Sequence, residues 1–295
     1  YNLRVLAVNL DNGWSSDIAV KNIKVVTSAL SFDLETYVID YEEVKAVLRS
    51  YILAGLPWVD SPTDIAIKSA LYKAAAREGI KYVLNGADFR SEGKQPLEWT
   101  YSDTKQLKYL VKKFSKTKLR TYPTLSLIDW VYFGLFKRIK VVRPLYYLPY
   151  EKKLAKELLK KQYGWIDYGG HHHENLFTKF IISYWLPVKF KIDKRVITYS
   201  AQILSGEISR EEALQLLSKP SYNQVKIEED ISYVLKKLDL TRIDFDKTFN
   251  SQNKYFIDYP SYYPFIVRFS KLGRLISSKI FSFKPGIFEA LDREI

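Results

Sequence analysis

The sequence predicts an α/β protein, a doubly wound parallel sheet followed by a mostly helical region. Two observations carry that expectation. Short aliphatic runs at residues 3–10, 34–39 and 81–84 alternate with stretches of helical periodicity, the pattern of strands buried between helices. The first and third of these runs pass into polar turns, Asp11-Asn12-Gly13-Trp14 and Asn85-Gly86-Ala87-Asp88. In open parallel sheets ligands bind at the carboxyl ends of the strands, so both turns are candidate site elements. A chain of 295 residues, 47% of them hydrophobic, is long enough to bury a full core.

Taken in order, the run 3–10 is the first strand, and Ser15 or Ser16 can cap a helix that begins at Asp17. Ile18, Ile23, Val26 and Leu30 recur there at helical spacing, and residues 34–39 give the second strand, completing a βαβ unit. Thr63 or Asp64 is positioned to cap a helix over 66–78, ahead of the strand at 81–84. A short apolar run at 139–142 and a helix over 151–162 follow. Ser209, with Glu212 three residues on, matches a capping box, and 228–238 reads as a further helix. These features divide the chain into an α/β domain at 1–145, a helical substrate-binding region at 146–250 and a basic, aromatic tail at 251–295.

Composition narrows the function. The absence of cysteine excludes disulfides, thiolate catalysis and zinc–thiolate sites for these residues and fits a reducing compartment, so the expected location is the cytoplasm. No apolar stretch approaches the roughly 20 residues needed to cross a bilayer, which leaves a soluble protein or one held peripherally at the inner membrane. The net charge is +13, and residues 103–161 hold sixteen Lys or Arg against four acids, a net +12. Such a segment attracts a polyanion, whether a nucleotide diphosphate, a nucleic acid backbone or anionic lipid; a solvated lysine-rich helix face is the competing reading. Beyond Tyr259, Phe265, Phe269, Leu272, Leu275 and Ile276 interleave with Arg268, Lys271 and Arg274. This amphipathic tail either lies on a membrane or partner surface or packs on its own domain.

All three histidines sit in one run, Tyr168-Gly169-Gly170-His171-His172-His173-Glu174. Glycines permit a sharp turn or close approach, and neutral imidazole both donates and accepts, so the run suits acid/base work or recognition of a polar substrate. Adjacent residues point in different directions, so three consecutive imidazoles rarely hold one metal. Asp88 and Glu92, near a strand end, are the candidate Mg²⁺ ligands. The turn at 11–14 could meet a nucleotide through its backbone and carboxylate, with Trp14 as a pocket wall.

In order along the chain, the segments at 10–14, 62–64 and 85–93, the histidine run, and Ile192-Asp193-Lys194-Arg195 resemble the N-acetyl sugar amidotransferases of bacterial surface-polysaccharide synthesis. The resemblance extends over roughly residues 1–240 and includes 177–180 and 205–214. That family belongs to the PP-loop ATP pyrophosphatases, which share the adenine nucleotide alpha hydrolase-like sheet. The resemblance implies a ligase that splits ATP to AMP and pyrophosphate, with Mg²⁺ as cofactor. It would adenylate the acetamido oxygen of a nucleotide-linked sugar, so that ammonia displaces AMP and leaves an acetamidino sugar for lipopolysaccharide or O-antigen biosynthesis. Hydroxide leaves a tetrahedral carbon poorly; AMP leaves readily.

By the same resemblance, Asp11, Asn12, Gly13 and Trp14 take the adenosine side, with Gly86, Asp88 and Glu92 near ATP or its magnesium. Tyr168, Gly169, Gly170, Lys194 and Arg195 bind the nucleotide sugar, and His171, His172, His173 and Glu174 are the catalytic candidates. The partners implied are the nucleotide-sugar substrate and a glutaminase subunit that supplies ammonia, with peripheral membrane contact through the tail; nucleic acid is not expected. The family's glycine-rich Ser-Gly-Gly-Lys-Asp-Ser loop and its cysteine pairs have no counterpart here, and the expectation is that loop and first strand lie upstream of Tyr1. Two other functions fit the residues, a PP-loop RNA-modifying adenylating enzyme and a non-catalytic membrane-surface or assembly subunit.

Overall fold

The computed structural model describes residues 3–270. Strand β1 (Leu6–Asp11) leads through helix α1 (Asp17–Ala29) to β2 (Asp33–Val38), which pairs parallel with β1 from Leu6 opposite Asp33 to Asp11 opposite Val38. Ser16, rather than Ser15, caps α1 by accepting the Ala19 N–H. Helices α2 (Tyr41–Leu53) and α3 (Ser61–Arg77) then lead to β3 (Tyr82–Leu84). Three helices follow, α4 (Phe89–Glu92), α5 (Leu97–Thr100) and α6 (Thr104–Phe114). Next comes α7 (Leu127–Val131), which runs on into a π-helical stretch (Tyr132–Phe136) before β4 (Lys140–Val142). β4 pairs parallel with β3. The second half is helical: α8 (Lys152–Tyr163), α9 (Leu176–Phe180) with a π-helical continuation (Ile181–Phe190), α10 (Lys194–Leu204), α11 (Arg210–Ser218), α12 (Ile227–Lys237), α13 (Arg242–Phe249) and α14 (Tyr263–Arg268).

Among the described residues the strands form two separate parallel pairs, β1 with β2 and β3 with β4, and α3 packs on both β1 and β3. Apolar strand residues remain outside the core, Val38 at 68% and Leu84 at 62% exposed. The main core is built on α2, whose Val44, Val47, Leu48, Tyr51 and Ile52 follow the i, i+3, i+4, i+7, i+8 rule of one helical face. Around it pack Trp14, Phe177, Ile181, Trp185, Ile231 and Phe245, so one continuous core draws on residues from both sides of position 145. A smaller cluster of Tyr72, Ala75, Leu125, Phe133 and Ile139 lies under β3 and β4.

The start of α3 differs from expectation. The helix begins at Ser61 with Asp60 as its N-cap, three to four residues before the predicted cap, because Pro62 fits the first turn and needs no intrahelical N–H partner. Thr63 instead donates its hydroxyl to the Asp60 carboxylate at 2.6 Å. The capping box at Ser209 and Glu212 is present as read from sequence. Of the tail, residues 271–295 fall outside the described residues.

Candidate functional site

The histidine run lies against the first polar turn. Ser15 and Asn175 form an isolated antiparallel bridge, Ser16 N–H donates to the Glu174 carbonyl at 2.8 Å, and Leu176 N–H donates to the Trp14 carbonyl at 2.9 Å. Below this bridge Asn12 donates to Thr63 at 3.2 Å and accepts from Asn175 at 3.4 Å. The chain thus joins the end of β1, the start of α3 and the start of α9 through side-chain amides and hydroxyls.

The run itself turns tightly. His172 has a φ of 57°, a left-handed conformation that costs a non-glycine residue about 1 kcal/mol or more. Gly170 is required for close approach, since a Cβ there would fall 2.3 Å from the His173 ring. The rings of His171 and His172 lie 3.9 Å apart between centroids, and His172 Nδ1 is 3.2 Å from Glu174 Oε1. Lys152 Nζ is 3.4 Å from His171 Nδ1. An ammonium has only donors, so His171 accepts there and carries its proton on Nε2.

Electrostatics keep this imidazole neutral. Burial, followed by His172, Lys152 and Lys194, lowers the His171 pKa to about 2. His173 is lowered as well, by burial and then by Lys179. For Glu174 burial pushes upward, but the hydrogen bond and charge of His172 outweigh it and leave the carboxyl below its ordinary value.

Two lysines with weakened charge face the run. Lys194 is only 8% exposed; its ammonium stacks 3.9 Å from the centre of Trp58, and burial lowers its pKa to about 8 against the opposing pull of Asp64, Glu92 and Asp60. Lys152 is lowered by burial, with Glu92 raising it. Beneath them Asp60 accepts from Thr63 and from Thr178 of α9. Burial, then Asp64, raises its pKa to about 7, opposed by these hydroxyls and by His172.

The sequence candidates therefore separate. His171, His172, His173, Glu174, Lys194 and Glu92 share one polar cluster, and Asn12 is tied to it through Asn175. Trp14, expected as a pocket wall, is 0% exposed and packs on Phe177 and Tyr233 at centroid distances of 5.2 and 6.1 Å; it is a core residue because its whole indole is covered. Gly13 holds the turn at φ +76°, with the Tyr41 ring 2.9 Å from where a Cβ would stand, and the Asp11 carboxylate accepts its N–H at 2.8 Å. Asp88, expected as a metal ligand, is 2% exposed, caps α4 through the Ser91 N–H at 2.9 Å and lies 3.5 Å from Arg90. Among the described residues no three His, Asp or Glu side chains are grouped to hold a metal. Gly86 stands in open space beyond β3. Arg195, expected to clamp an anion, is bound instead by Asp193 at 2.7 Å and by the Lys219 carbonyl at 2.9 Å. Tyr168 accepts from the Trp165 indole at 3.3 Å, and the Gly169 N–H donates to Asp167 at 2.9 Å.

Sequence reading missed Asp60, Trp58, Thr178 and Lys152. An acid just before Ser-Pro-Thr was the available signal for Asp60, a helix N-terminus whose carboxylate has hydroxyl partners nearby.

Residues 174–273 match the family model of the C-terminal domain of WbpG-like LPS biosynthesis proteins. Over that third of its length the chain is similar to lipopolysaccharide biosynthesis proteins. The match starts at Glu174, at the bridge that fastens α9 to the β1 turn. No curated protein matches the chain.

Proposed function

We propose that this chain is an ATP-dependent amidotransferase acting on a nucleotide-linked N-acetyl sugar in lipopolysaccharide biosynthesis. The observation that carries the reading is the histidine run, with His171 and His173 kept neutral, packed beside Lys152 and Lys194 and fastened to the end of a parallel strand. The similarity of residues 174–273 to LPS biosynthesis proteins supports the pathway class.

Lys152 and Lys194 bind the sugar's diphosphate. An arriving dianion restores the charge that burial has weakened, so binding takes up protons at pH values around that of Lys194. His171, neutral and with Nδ1 turned to Lys152, donates its Nε2–H to the substrate, the His172–Glu174 pair orients the acetamido group, and the proton that ammonia sheds on attack passes to water. ATP, when bound, supplies the adenylate leaving group. Among the described residues the 11–14 turn offers an anchored backbone but no phosphate cradle, and Asp88 does not suit magnesium in its capping role.

The test is to incubate the full-length protein with ATP, ammonia and nucleotide-linked acetamido sugars, following AMP and the amidino product by mass spectrometry. Formation of both, lost in Lys194→Met, is the expected result. Neither product from any diacetamido uronic acid nucleotide would reject the reading.

A further inference from the structure

The helix formed by α7 and its π-helical continuation carries a face that no other part of the described residues covers. Trp130 and Phe133 hold it to Tyr72 of α3, with ring centroids 5.1 and 5.7 Å away. On the opposite side Ile128 is 80% and Phe136 71% exposed, and Val131, Tyr132 and Leu135 between them are exposed too. Positions 128, 131, 132, 135 and 136 follow helical spacing, so the exposed apolar groups form one stripe and not a scatter of single residues.

A collar of cations closes the stripe at its carboxyl end. Lys137 sits 5.8 Å over the Tyr132 ring, Arg138 turns the chain at φ 54°, and Lys140 and Lys81 are exposed where β3 meets β4. Lys81 donates to the Lys137 carbonyl at 3.0 Å, which holds these cations together. From residue 130 to residue 150 the chain carries four Lys or Arg and no carboxylate. Asp129, at the start of the helix, is committed to the Ser126 capping box.

We propose that this helix face, with Lys137, Arg138, Lys140 and Lys81 around it, docks the protein on an anionic membrane surface. A protein interface has a rim in which both charge signs and hydrogen-bonding groups alternate, whereas a one-signed collar next to an aliphatic and aromatic ridge matches the diffuse negative charge of headgroups above acyl chains. None of the helices among the described residues is long and apolar enough to cross a membrane, so the attachment is to the surface. The proposal concerns a different part of the molecule from the histidine cluster and does not depend on the reaction assigned there.

The experiment is co-sedimentation of the full chain with phosphatidylglycerol-containing vesicles and with phosphatidylcholine vesicles, at low and high salt. Wild type is expected to partition onto the anionic vesicles and to be released by salt. The double variants I128N/F136S and K137E/R138E should each lower the partition coefficient by about tenfold or more. L204N/V225S, which removes exposed apolar groups elsewhere, should leave it unchanged; circular dichroism and thermal melting verify folding of all three. Equal partition of wild type and both stripe variants would overturn the proposal by placing the contact elsewhere, the basic tail included. So would failure of wild type to bind. Self-association of wild type that is lost in I128N/F136S would make the face a protein contact and overturn it equally.

Discussion

The two hydrophobic clusters of this molecule serve different ends. The larger packs on the apolar face of α2 and fixes Trp14, Phe177 and Trp185 in positions without solvent contact; the polar site stands directly on it. The smaller cluster, under β3 and β4, supports one side of the α7 helix and leaves the other bare. Rigid packing below a site and sparse packing below a docking face are different uses of apolar surface. The first orients groups to within a few tenths of an ångström, and the second keeps a face available.

Mutations should separate the two regions by size of effect. Trp14→Ala, in the large core, is expected to cost about 3–5 kcal/mol in denaturant unfolding. A loss below about 1 kcal/mol would mean that the indole faces a ligand and not the core. Phe133→Ala, in the small cluster, should cost less than Trp14→Ala by the same measurement, since its neighbours are fewer and can relax. Equal losses would erase the contrast.

Acid–base behaviour sharpens it further. Asp60 has a native pKa above its unfolded value, so the folded state holds its proton longer and stability declines as pH rises from about 4 to about 7, by up to about 4 kcal/mol. Asp60→Asn should flatten that decline in chemical denaturation measured across this range. His171 runs the other way. Its lowered pKa means the unfolded state takes up a proton first, so stability falls as pH drops below about 6.5, and His171→Gln should reduce the loss. The smallest expected effect is in Tyr82→Ser on exposed β3, within about 0.5 kcal/mol of wild type by thermal melting.

Much of the local structure was legible in the residues. The three aliphatic runs became strands, with ends displaced by one to three residues, and the Ser209–Glu212 box formed because its chemistry is contained in four neighbouring positions. Helix α2 went unread although its apolar residues keep helical spacing; its Glu43 carboxylate is buried against the backbone N–H groups of Thr121 and Tyr122. The histidine loop was found because its residues are adjacent. Asp60, Thr178 and Lys152 were not, since what brings them together is proximity in space between separate stretches, 118 residues apart for Asp60 and Thr178, which no single stretch displays. Trp14 and Arg195 are engaged otherwise than expected for the same reason: a tryptophan beside a polar turn and an arginine beside a lysine look available in sequence, whereas Phe177 packs on one and Asp193 pairs with the other.

The bridge between Ser15 and Asn175 carries one more consequence. Because the WbpG-like segment begins at the residue that hooks onto β1, its first hydrogen bonds to the rest of the molecule lie at its own leading end, and Phe177, Trp185 and Phe245 then carry it into the shared core. Chimeras spliced just ahead of Glu174 would keep the hook's chemistry wherever the recipient retains Asn12 and Ser16.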